Sequence, residues 1–294
     1  MRRSQALLLL GAGAIAAAVV AILVVTPGAN SPARIDAHGL TKDVAAGRLR
    51  NVLEAADVID TTVPKAELVA EGKHLFRDPA LFRDGLSCQS CHTEGGANPD
   101  LGTQMHPTSA GDFTGPRDPP SLWGVGDTAP YFWTGSQPSL EDLMARLIRN
   151  FFKDGNPTAE RVAALAAYLR SLDPPVTSFD LGTMSSTALR GQRLFQGKAG
   201  CISCHSGPLL TDNRLHNTLV PQVPGSNDPG APTPPGAFNT PQLRDVANTA
   251  PYMHNGVFTT LHQVVEFYDK TASTAPLHLT DQETNDLVAY LNAL

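Results

Sequence analysis

Apolar residues recur at helical spacing in two stretches far apart in the chain. Leu68, Leu75 and Phe76 mark one, with Gly72 among them; Leu189, Leu194 and Phe195 mark the other, with Gly191. Such spacing predicts an amphipathic helix with one buried face. The repeated Gly-x-x-Leu-Phe arrangement suggests a helix packing beside a cofactor edge. Further on, Leu140 to Asn150 and Leu261 to Tyr268 each read as a Leu-led helix. Thr158 to Leu172 and Thr280 to Leu294 read as capped helices, because Thr158-Ala159-Glu160 and Thr280-Asp281-Gln282-Glu283 carry N-cap chemistry. The second is a full capping box.

The repetition extends beyond the helices. Pro120-Ser121-Leu122 through Thr128-Ala129-Pro130-Tyr131-Phe132-Trp133-Thr134-Gly135 matches Pro241-Gln242-Leu243 through Thr249-Ala250-Pro251-Tyr252-Met253-His254-Asn255-Gly256. Self-similarity on this scale predicts a duplicated unit. The expected fold class is mostly α, with two tandem domains of one kind over 64–174 and 184–294. Only the second copy has a Pro/Gly-rich insertion, Pro221 to Pro241. Its composition excludes regular helix and central strand, and it is expected to be an ordered loop near a cofactor edge or the domain interface.

The N-terminus follows a different pattern. After Arg2 and Arg3 the chain is uncharged from Ser4 to Val25 and apolar from Ala6. This run is long enough to span a bilayer, with the arginines on the cytoplasmic side. Residues 1–29 are therefore read as a signal anchor, with a cleaved signal peptide as the rival. Pro27-Gly28-Ala29 and Ser31-Pro32-Ala33 both make poor cleavage sites. Either reading delivers the chain to the periplasm, anchored to the inner membrane or soluble. Residues 30–63 form a linker containing a short helix, Lys42 to Ala56.

Composition narrows the class. The 294 residues carry a net charge of −6, which argues against a nucleic-acid partner. The 25 glycines and 24 prolines predict long punctuated loops, suited to wrapping a large flat cofactor.

The chemistry lies in one motif used twice. Cys88-Gln89-Ser90-Cys91-His92 returns as Cys201-Ile202-Ser203-Cys204-His205, and the two copies use all four cysteines. C-x-x-C-H is the attachment signature of c-type haem: Cys88 and Cys91, then Cys201 and Cys204, form thioethers, and His92 and His205 are axial iron ligands. A single zinc on four cysteines leaves both histidines unexplained, and two disulfides leave the duplication unexplained. The cofactors read from the motif are two covalently bound haem c groups, one in each of two tandem class I cytochrome c-like haem domains. Met105 and His106 are candidate sixth ligands for the first iron. Met253, His254, Tyr268 and His216 are candidates for the second.

From Gly191-Gln192-Arg193-Leu194-Phe195 through Cys201–His205 to Phe238-Asn239-Thr240-Pro241-Gln242-Leu243-Arg244-Asp245-Val246 and Pro251-Tyr252-Met253-His254-Asn255-Gly256, the second half resembles the bacterial dihaem cytochrome c peroxidase and MauG family. The resemblance is looser in the first half. It implies that Tyr268 is the second haem's distal ligand, as in the MauG branch, where the peroxidases carry Met. It implies that Trp133 carries electrons between the haems, and that calcium sits between the domains near Asp118, Thr249 and Pro251.

The implied activity is reduction of hydrogen peroxide with electrons from a small donor, a cytochrome c or cupredoxin. A non-enzymatic electron carrier and MauG-like oxidation of a partner protein are the alternatives, and a homodimer is a further expectation. The sequence departs from the peroxidases at Ala110, Leu143 and Lys153, where they have a distal His, a Gln and a Glu. Glu141, Asp142 and Asp154 are the nearby carboxylates that could substitute, and the catalytic acid–base stays unassigned.

Overall fold

A computed structural model of the chain describes residues 65–93, 117–271 and 276–294. The apolar N-terminal run, the linker helix, Met105, His106 and Ala110 lie outside the described residues. Among the described residues, no helix is long and apolar enough to cross a membrane.

The architecture is mostly helical. The first half holds α1 (Lys65–Arg77), the one-turn α2 (Cys88–Cys91), α3 (Leu140–Phe151) and α4 (Ala159–Arg170). The second holds α5 (Ser186–Gln196), α6 (Leu261–Thr271) and α7 (Asp281–Leu291). The predicted caps form. Thr158 accepts from the Arg161 amide, and Thr280 and Glu283 make the reciprocal capping box that satisfies amides at the start of α7.

Each half buries its own core. Leu75, Phe76, Ile148, Leu165 and Tyr168 belong to one; Phe195, Val265, Leu287 and Tyr290 belong to the other. In each, the helix preceding the haem motif crosses the closing helix at its glycine. A Cβ on Gly72 would lie 1.9 Å from the Ala164 carbonyl oxygen, and one on Gly191 would lie 1.9 Å from that of Asp286. Only glycine permits so close an approach of two helix backbones. The glycine positions of α1 and α5 therefore pack against α4 and α7. The aromatic contacts repeat too, with Phe76 on Tyr168 and Phe195 on Tyr290, each at 5.2 Å between centroids.

The insertion is ordered. Strands β1 (Leu215–His216), β2 (Ala231–Pro232) and β3 (Pro235–Asn239) form an antiparallel sheet in the order β1-β3-β2. The sequence reading excluded a central strand here, yet β3 is the middle one. The exclusion fails because Pro235 is the first residue of β3, where a missing N–H is tolerated.

Candidate haem sites and the junction between them

The second motif opens as a single 3-10 turn, Cys201–Ser203, entered through Gly200 in the left-handed region (φ 64°). The first is the short helix α2, entered through Ser87. Cys88 packs against the first core and Cys201 against the second, which removes the reading of one zinc held by four cysteines. The thiols are unlinked. Burial pushes the Cys88 thiol up to about 12 and that of Cys201 to about 11. Such thiols stay protonated, unlike reactive or zinc-binding thiolates. A thioether carries no ionisable group, so these surroundings suit it without penalty.

The histidines are prepared as ligands. His205 Nδ1 donates to the Leu210 carbonyl at 2.9 Å, and His92 Nδ1 donates to that of Pro120 at 3.0 Å. A carbonyl partner fixes the tautomer with Nδ1 protonated and Nε2 carrying the lone pair, the form an iron ligand needs. Burial lowers the His205 pKa, which keeps its ring neutral. All four cysteines and both histidines retain partial solvent access. Partial access combined with strong desolvation at Cys88, Cys201 and His205 describes the wall of a recess, the surface a flat cofactor edge requires. The donor set and its surroundings therefore fit haem c.

Tyr268, on α6, faces the second recess. Its phenol interacts electrostatically with Cys201 and Cys204, is pushed up mainly by burial, and is lowered in part by a hydrogen bond from Thr218. The other residues considered for this position have separate settings. His216 pairs with Asp212 at 2.8 Å and, with Cys204, forms a close cluster; a thioether at Cys204 leaves that cluster without a thiolate. Met253 is half-buried on a turn at φ 72°. His254 lies at the junction of the two halves.

The carboxylates considered for acid–base chemistry are committed elsewhere. Glu141 makes a bidentate pair with Arg170 at 2.5 and 3.0 Å. Asp142 accepts from Ser139 in the cap of α3, and Asp154 pairs with Arg161. Leu143 is buried in the first core, and the Lys153 amide donates to the Leu81 carbonyl.

Trp133 is at the centre of the junction. Its Nε1 donates to the Asp118 carbonyl at 2.7 Å, its own carbonyl accepts from the Asn239 amide at 2.7 Å, and its ring meets His254 edge-on at 6.4 Å. His254 stacks on Phe238 at 3.6 Å and its Nε2 is buried with no partner among the described residues; burial depresses its pKa to about 4. Asp118 is buried, and burial raises its carboxyl to about 8. Thr249 donates its hydroxyl to the Val246 carbonyl, and Pro251 follows a cis peptide, as Pro130 does. From the insertion, Asp228 takes a bidentate pair with Arg117 at 2.7 and 2.8 Å. Sequence reading missed this clasp; the insertion was the signal, but nothing in it named Arg117.

Comparison with known proteins agrees with this geometry. Residues 66–167 match the family model for di-haem cytochrome c peroxidase, and residues 188–294 match that for cytochrome c. The chain is 32% identical to cytochrome-c peroxidase IdrP1 of Denitromonas iodatirespirans, over 78% of this chain and 81% of that protein. It is 34% identical to the methylamine utilization protein MauG of Methylorubrum extorquens, over 78% of each. Among solved structures, a MauG-like protein associated with microbial copper homeostasis superposes with a TM-score of 0.65 at 26% identity, covering 80% of this chain and 91% of that one. With its paired C-x-x-C-H recesses and this degree of likeness, the chain belongs to the di-haem cytochrome c peroxidase and MauG family, whose members carry covalently bound haem c.

Proposed function

We propose that the protein reduces hydrogen peroxide to two waters, taking two electrons from a small redox protein and two protons from solvent. Cys88, Cys91 and His92 hold one haem and Cys201, Cys204 and His205 the other, in tandem class I cytochrome c-like domains over 64–174 and 184–294. Bound there, the haems supply the redox chemistry. The chain's own residues do the rest. The carbonyls of Pro120 and Leu210 hold the two imidazoles with Nε2 as the donor atom, and Tyr268 closes the second recess. Electrons enter the second half and cross at Trp133.

The observation that carries this reading is Trp133 itself: its indole donates to the Asp118 carbonyl within the first half and meets His254 of the second edge-on, and its backbone carbonyl accepts from the Asn239 amide of the second half. The test is steady-state oxidation of a reduced cytochrome c or cupredoxin on adding peroxide. No turnover after reductive activation, with both haems permanently low-spin, would leave an electron carrier instead. The Tyr268 phenol in the second recess favours a second reading, oxidation of a partner protein, which peroxide-dependent modification of a co-purifying protein would reveal.

Calcium at the junction belongs to the same proposal. Asn239 donates its side-chain amide to the Pro130 carbonyl at 2.6 Å. Asp118 occupies the equivalent place in the other copy, so its carboxylate would face the Pro251 carbonyl. With Asp118 ionised, two acceptors would face each other and call for a cation, and hard oxygen donors suit calcium. The N-terminal apolar run supports export to the periplasm, with the protein held at the inner membrane by that run or soluble if it is cleaved.

A further inference from the structure

The two halves differ in charge at one buried position. Leu122 is followed by Trp123, and its counterpart Leu243 is followed by Arg244. Trp123 is neutral and half-buried, and its Nε1 donates to Asp245 at 3.2 Å. Arg244 is 1% exposed and pairs with the equally buried Asp180. Its Nε donates to the Leu294 carbonyl at 3.2 Å, and its guanidinium sits 5.5 Å above the Phe179 ring. Arg244 Nη1 and Asp180 Oδ1 have no partner among the described residues, so the pair is polarised and not fully spent in hydrogen bonds.

The pair is oriented. Phe179 packs on Tyr290, Tyr290 on Phe195, and Phe195 beside His205. The Tyr290 phenol responds to the positive charge of Arg244 and also to Cys201. The guanidinium is thus joined to the second motif through the packed rings of Phe179, Tyr290 and Phe195. Three residues before Arg244, Pro241 presents its backbone to the His205 ring.

We infer that Arg244, balanced by Asp180, is a positioning residue for charge: it raises the second haem's reduction potential relative to the first, where Trp123 supplies no charge. A ferrous haem carries one positive charge fewer than a ferric one, so a nearby cation in a low-dielectric core favours reduction. The role matters because Tyr268 pulls the other way, an anionic ligand favouring the ferric state. The inference rests on the proposed pair of haem sites.

The test is a spectroelectrochemical titration of the full protein with both haems attached, verified by denatured mass. Asp180→Asn, which leaves the guanidinium unbalanced, should shift only the second haem's potential upward. The double variant Arg244→Gln/Asp180→Asn removes both charges at similar volume and should shift the same potential downward. Arg244→Lys retains the charge and should keep the potential near the wild-type value. If Asp180→Asn and the double variant both left the gap between the two potentials unchanged, or moved both haems together, the inference would be overturned. Wild-type peroxide turnover is read separately, so loss of the functional reading leaves these shifts measurable, and loss of the shifts leaves turnover intact.

Discussion

Trp133 and His254 meet edge-to-face, 6.4 Å between ring centroids, and they occupy the same place in the two copies of the repeat. Their surroundings are reciprocal. The Asn239 amide donates to the Trp133 carbonyl at 2.7 Å, and the Asp118 amide, from the position equivalent to Asn239, donates to the His254 carbonyl at 2.9 Å. A contact in which each copy offers the other the same groups is the signature of a two-fold interface. Trp133→Phe keeps an aromatic side chain but replaces the indole and removes its hydrogen bond to Asp118, which alone costs about 1 kcal/mol. Stopped-flow mixing with reduced donor should show prompt reduction of the second haem and delayed oxidation by peroxide, with haem content unchanged.

Gly72→Ala and Gly191→Ala each force a methyl group against a helix carbonyl at 1.9 Å. Neither backbone can yield without separating the crossing helices. Each variant should lose about 1–3 kcal/mol or more, as overpacking does, seen as a lower denaturation midpoint.

Asp118 gives a pH signature. Burial raises its folded-state pKa to about 8, above the ordinary aspartate value of 3.8. Between these values the folded protein binds more protons than the unfolded chain, so this group makes stability fall as pH rises. Calcium requires the carboxylate, so its affinity should climb over the same interval. Thermal melts from pH 5 to 8, with calcium and with chelator, should diverge as pH rises. Asp118→Asn should remove the divergence.

On the proposed ligation by Tyr268, Tyr268→Met would exchange a phenolate for a thioether. Axial Met raises the potential of a c-type haem, so the second haem should become easier to reduce. Tyr268→Phe should leave its sixth position exchangeable, which electron paramagnetic resonance with added small ligands would register.

Glu141→Gln tests the assignment of Glu141 to structure. Its partner Arg170 holds it in a partly exposed pair, and such pairs contribute about 1 kcal/mol or less. Peroxide turnover should stay near wild type while stability drops slightly.

The elements legible in the sequence are those governed by local rules. C-x-x-C-H spacing, the Thr280–Glu283 box and the helical faces of α1 and α5 depend on neighbours a few residues away, and the structure contains them as read. Partners distant in sequence were not legible. Gly72 announced a close contact, but nothing nearby identified Ala164 as its opposite. Pro235 argued against a central strand, because composition does not reveal that the proline falls at the strand's first residue. Arg244 and Asp180 appear as ordinary surface-type residues in the sequence; only tertiary packing buries both. The duplication was the strongest long-range signal, since it aligned Trp133 with His254 before any contact between them was known.

The clasp between Arg117 and Asp228 breaks the equivalence of the two halves that duplication alone would leave. Two identical units joined by a reciprocal seam can pair across separate chains as readily as within one. A lengthened loop on one unit only, reaching an arginine on the other, makes the two units distinguishable and fixes a first unit against a second one instead of two like units.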